Sequence, residues 1–260
     1  MGQPMAMSAA GGARLMRTSF DVVRSDYGLL AFPFVSMVCL ALVGGFWLLQ
    51  CAYLASVGAA GVLYVPLVVV ALYSLTAIGI FFNVALAGAA AQAVDGSEAS
   101  FGGGIDIALG RLGAIAGWAA YSLTVSVGLG LLESFRLTRW LGKAAEVAWS
   151  FATIFVVPLI AVENLDASTA RQRSFALARQ NWQAESGGLV ALRLVWLVPG
   201  VLIYLDAKLL VGGHAHSSPA RAFLGLMLLV GFGCAVAVGV VRQVFAVSLF
   251  RQNDHTPVAP

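Results

Sequence analysis

The chain has 260 residues, of which 60% are hydrophobic and 10% charged, and its formal net charge is +3. Soluble domains carry about 25% charged residues, and no dense basic block of the kind that tracks a nucleic-acid backbone occurs in the sequence. An ordinary water-soluble domain is therefore excluded, nucleic acid is not expected as a partner, and almost no chain is left for a separate soluble domain.

The first 28 residues carry Arg14, Arg17 and Arg24 ahead of an apolar run. The charge pattern superficially resembles a signal peptide. The run is too long for a signal h-region and lacks a clear small-residue cleavage site, so an uncleaved first span is expected. Apolar stretches follow near Leu29 to Leu54, Leu63 to Ala91, Leu112 to Leu132, Val147 to Val162, Leu189 to Leu205 and Ala222 to Val241. The predicted architecture is all-α: one integral membrane domain over residues 1–260 with six transmembrane helices. As a helix the second stretch would be on the order of 45 Å long, which demands tilt or projection from the bilayer. The segment from Glu133 to Glu146 reads as a short helix at the outer interface. Pro33, Pro66, Pro158 and Pro199 mark kinks or helix starts.

Arginine outnumbers lysine 13 to 2, and alanine, glycine and valine abound, which fits a GC-rich bacterial genome. Cationic residues set the orientation. Arg14, Arg17, Arg24, Arg111, Arg171, Arg173, Arg179 and Arg251 fall on one side; Arg136, Arg139, Lys143, Lys208 and Arg221 fall on the other. The excess predicts a multi-pass protein of the cell inner membrane with both termini cytoplasmic, the tail 251–260 included.

An internal repeat is visible between Ser19-Phe20-Asp21-Val22-Val23-Arg24-Ser25-Asp26-Tyr27 and Ser174-Phe175-Ala176-Leu177-Ala178-Arg179-Gln180-Asn181-Trp182. The Phe, the Arg and the final aromatic recur at i, i+4 and i+7, along one helix face. Segments 1–28 and 166–182 are accordingly expected as amphipathic elbows, with Arg24, Tyr27, Arg179 and Trp182 contacting interfacial lipid. A poorer third copy runs from Ser100-Phe101 to Arg111, where Gly102, Gly103 and Gly104 weaken the helix. Three copies would make three parallel elbow-plus-hairpin units.

Intramembrane polar groups are costly and need partners. Asn83, within Phe81-Phe82-Asn83-Val84, reads first as a packing contact and second as a substrate ligand. Gln50, Ser74, Thr76, Thr124 and Ser126 read as packing contacts alone. Glu163, Arg193 and Arg242 approach the cytoplasmic face, and Glu163 is expected to pair with Arg193 or Arg242; the alternative is an ion site at a cavity mouth. Gly113-x-x-x-Gly117 and Ala235-x-x-x-Gly239 allow close helix approach.

No catalytic or cofactor motif stands out. Cys39, Cys51 and Cys234 lie in apolar runs without metal-ligand spacing, and His214 and His216, with Asp206 nearest, fall short of a zinc ligand set. Asp95, Glu98, Asp106, Glu163 and Asp166 gather toward the cytoplasmic side as solvated charge. No cofactor and no metal is expected.

Leu30-Ala31-Phe32-Pro33, Phe82-Asn83, Gly117-Trp118, Trp149-Ser150, Phe155-Val156-Val157-Pro158 with Glu163, and Arg173-Ser174 followed by Trp182 resemble a family of six-pass prokaryotic integral membrane proteins of unknown function. More distantly, the Arg-Ser elbow is similar to the membrane domain accompanying some glycerophosphodiester phosphodiesterases, whose soluble catalytic part has no counterpart here. The resemblance implies a six-helix membrane fold and brings no activity with it. The expected role is a non-enzymatic accessory or scaffold protein that interacts with lipid, a membrane protein partner or a second copy of itself. The alternative is a small permease with a polar path lined by Asn83, Glu163, Arg193 and Arg242.

Overall fold

The computed structural model describes residues 27–97, 100–135, 139–180, 201, 236, 239–248 and 250–251. No strand occurs among them. After a 3-10 turn, Tyr27–Leu30, come α1 (Ala31–Ser56), α2 (Tyr64–Val94), α3 (Phe101–Leu109), α4 (Leu112–Ser134), α5 (Arg139–Ala152), α6 (Val156–Glu163) and α7 (Ala167–Gln180). An apolar helix near the C-terminus, α8, covers Gly239–Ser248. With their leading 3-10 turns, α1 and α2 form continuous helical stretches of 29 and 34 residues, and α4 has 23. These three are long and apolar enough to cross a membrane. At 1.5 Å per residue even the shortest reaches about 35 Å, against about 30 Å of hydrocarbon.

α1 and α2 form a hairpin. Its turn depends on Gly58, whose φ of +64° suits glycine and whose N–H closes α1 by donating a hydrogen bond to Ala55 O. Partway down the hairpin, Trp47 Nε1 donates to Ser74 Oγ at 2.9 Å.

The two halves of α2 have different surroundings. Its outer half exposes Val65, Val68, Val69 and Val70. Its inner half is buried on every side from Val84 to Ala91. A helix surrounded in this way must be slender, and the sequence Val-Ala-Leu-Ala-Gly-Ala-Ala-Ala keeps it so. The core around it contains Leu29 and Phe32 from the 3-10 turn and the start of α1, Ala108 of α3, Ile115, Trp118 and Ala119 of α4, Val156, Leu159 and Ile160 of α6, Ala170 and Ala178 of α7, and Val240, Val241, Val244 and Phe245 of α8.

Two elements differ from the sequence reading. The glycines of Gly102-Gly103-Gly104 do not prevent a helix: α3 forms, with Ser100 as its N-cap accepting from Gly103 N at 3.4 Å. Tertiary contact replaces weak propensity. A Cβ on Gly104 would stand 2.5 Å from Ala85 O and 2.6 Å from Phe32 Cζ, and one on Gly88 2.8 Å from Ile107 Cδ1. The glycines are what allow α3 to press against α2.

The stretch expected as one span from Val147 to Val162, with Pro158 as a kink or helix start, is two helices, α5 and α6, separated by a turn at Thr153–Phe155. Pro158 accounts for the break. In an unbroken helix it would lack the N–H for Ile154 O and its ring would clash there, whereas in the first turn of a new helix neither problem arises. α5 begins within the Glu133 to Glu146 segment, so the short helix expected there is the start of α5. The fifth stretch lies outside the described residues apart from Val201, and so does most of the sixth.

Candidate functional site

The ion pairs lie at the ends of helices. The Arg251 guanidinium pairs with Asp95, bringing the chain after α8 to the end of α2. Arg173 of α7 pairs with Glu163 at the end of α6. Between them the chain turns through Asn164, at φ 55°, and enters α7 at Asp166. The Asp166 carboxylate accepts from the Ser168 hydroxyl, from Ser168 N at 3.1 Å and from Thr169 N at 3.3 Å. Hydrogen bonds from Ser168 first and Thr169 second hold its carboxyl well below the usual range. Ser174, fully buried in α7, donates to Ala152 O at 2.7 Å and so satisfies a carbonyl at the end of α5.

An aromatic cluster lies against α7. Trp118 stacks on Trp149 and on Tyr121, each at 5.8 Å, and the Phe175 ring meets Trp149 edge-on at 6.4 Å. The Arg171 guanidinium sits 4.2 Å above the Tyr121 ring. Rings from α4, α5 and α7 are thereby joined through their faces and edges.

A groove runs between α1 and α2. It has a volume of about 330 Å3 and is lined by Pro33, Ser36, Met37 and Leu40 on one side and Gly79, Phe82, Asn83 and Leu86 on the other. Both sets follow i, i+3, i+4, i+7, so the groove lies parallel to the helix axes. Phe82 and Leu86 are its buried floor, and Asn83 is exposed in it.

Asn83 thus faces a groove, while Glu163 and Arg242 lie elsewhere. Glu163 has Arg173 as a partner, a residue the sequence reading did not select, and Arg242 Nη2 donates to Ser150 Oγ at 3.2 Å. Arg193 is outside the described residues, as are Arg24, Trp182, Glu98, Cys234, Asp206, His214 and His216. Tyr27 opens the 3-10 turn before α1, and Arg179 is exposed in the last turn of α7. Thr76 and Thr124 bond back to the carbonyls of Leu72 and Ala120. Gly117 packs against Ala167 Cβ, whereas nothing lies within 4 Å of a Cβ placed on Gly113. No cluster of three or more His, Cys, Asp or Glu able to hold a metal occurs among the described residues. Cys39 and Cys51 are free thiols.

The described residues form helices and no strand, and three of the helices are apolar and of membrane length, the build of a membrane protein. The chain belongs to a family of unknown function (DUF6159), whose model matches residues 62–251. That match takes in α2 through α8 and leaves α1, one wall of the groove, outside it. No curated protein matches the chain, and no solved structure does.

Proposed function

We propose that this chain is a non-enzymatic accessory or scaffold protein of the bacterial inner membrane, holding lipid or a partner protein against its helix faces. In this reading the chain crosses six times, α5 and α6 make the fourth crossing as a broken helix, and both termini are cytoplasmic. The units are elbow plus hairpin, with α3 and α7 as elbows. The observation that carries the reading is the placement of charge: the Asp95–Arg251 and Glu163–Arg173 pairs lie at helix ends, and among the described residues no charged side chain lines the α1–α2 groove. A conduit for a polar solute needs such groups around one wet path.

The permease reading is second, supported by the exposed amide of Asn83 in the groove. The deciding experiment is gentle extraction of the tagged protein from native membranes, followed by mass spectrometry of co-purifying proteins and lipids. A stoichiometric protein or lipid companion is expected. A companion-free protein that drives solute flux in proteoliposomes would replace the scaffold reading with the permease.

A further inference from the structure

The α1–α2 groove has a polar level and an apolar length. Among its described lining residues only Ser36 and Asn83 have polar side chains, and neither makes a side-chain hydrogen bond to another described residue. Its walls span eight residues on each helix, or about 10 Å along the axis. An apolar groove of this length, with its polar groups confined to one level, suits an alkyl chain lying along the helix axes.

Its depth can be read from α3. Gly104 of that elbow touches Ala85 O, so the elbow lies at the level of Ala85. Asn83 is two residues further along α2, about 3 Å toward the hairpin turn. If the elbow lies in the interface, Asn83 sits at the depth of lipid ester groups, and Met37, Leu40 and Gly79 continue toward the bilayer centre. An amide at that level can donate to an ester carbonyl, which has acceptors but no donor. Gly79 keeps the deeper part open, with nothing within 4 Å of a Cβ placed there.

We propose that this groove seats one acyl chain of a membrane phospholipid, with its ester carbonyl at Asn83 and its first methylenes along Met37, Leu40 and Gly79. The proposal rests on the membrane placement given above and is independent of whether the protein is a scaffold or a permease. The test uses the full chain in phosphatidylethanolamine–phosphatidylglycerol vesicles doped with a phospholipid carrying a diazirine on the upper part of one acyl chain. After photolysis, labelled positions are mapped by mass spectrometry. Phe34 and Val38, exposed on α1 at the same depth, report ordinary lipid contact. Labelling at Met37, Leu40 and Phe82 is expected to exceed theirs by about threefold or more, although these residues are less exposed. Gly79→Phe should cut the groove labelling by about fivefold, a loss of about 1 kcal/mol of binding, and leave Phe34 and Val38 unchanged. Asn83→Leu, which removes the amide while keeping the bulk, should lower it as well. If Gly79→Phe does not accumulate, Met37→Trp fills the groove from the other wall. Groove labelling no higher than at Phe34 and Val38, or unaffected by the filling variants, overturns the proposal while leaving the membrane placement intact. Absence of label at every position overturns both.

Discussion

At the level of single residues, small size and local hydrogen bonds matter more than charge. Gly104 is wedged between a backbone carbonyl and the Phe32 ring. The carbonyl belongs to a buried helix and cannot swing away. Gly104→Ala is therefore expected to destabilise the protein by about 1–3 kcal/mol, read as a lower thermal midpoint in detergent. Gly113→Ala, where a Cβ meets nothing within 4 Å, should be neutral or slightly stabilising. Asp166 gives a pH signature. Its folded carboxyl titrates below the ordinary range because Ser168 and Thr169 donate to it. The resulting stabilisation is complete above the unfolded value of about 4 and is lost as pH falls below that, toward the folded value. Asp166→Ala should lower the thermal midpoint at pH 7, and its deficit relative to the parent should shrink on acidification below pH ~4. A deficit that stayed constant with pH would rule out the capping carboxylate as its source.

At the level of elements, the sequence was legible where the signal was local. Three long apolar runs became α1, α2 and α4, and Ser100-Phe101 and Ser174-Phe175 each fall in or at the start of a short helix. Those helices bury small residues four apart, Gly104 with Ala108 and Ala170 with Ser174 and Ala178, which hydrophobic periodicity alone does not reveal. The sequence marks Pro158 as a kink or helix start, but the apolar run continues through it and does not show that the helix breaks outright between α5 and α6. The partners of Glu163 and Asp95 were hidden for a different reason: Arg173 and Arg251 are brought to them by the path of the chain. The first pair joins α6 to α7 across a tight turn. Reversing either charge alone, Glu163→Arg or Arg173→Glu, should lower the thermal midpoint, and the double exchange should recover part of the loss. The recovery should stay below about 1 kcal/mol, since the Arg173 side chain is 46% exposed. No recovery in the double variant would show that the two side chains act separately.

At the level of the whole molecule, the start of α1, the end of α2 and the chain after α8 share one end, because Phe32 meets Gly104 and Arg251 meets Asp95. The opposite end holds the Gly58 turn. This arrangement predicts a sidedness that can be measured. In a cysteine-free background, Ser56→Cys should react with an impermeant maleimide added to intact cells, and Ser97→Cys only after the inner membrane is opened. The reverse pattern would invert the proposed orientation, and reaction of both in intact cells would remove the crossing by α2.

The contrast between the two halves of α2 has a mechanical consequence. A rod gripped on every side over its last turns and braced beyond them only along the flanks that meet α1 and α4 is stiff at the clamp and more compliant toward the tip. From Ile80 to Gly61 this arm measures about 29 Å. Thickness changes or lateral pressure acting on the hairpin turn would be multiplied by that arm into torque on the alanine-rich collar, where there is no slack to absorb it.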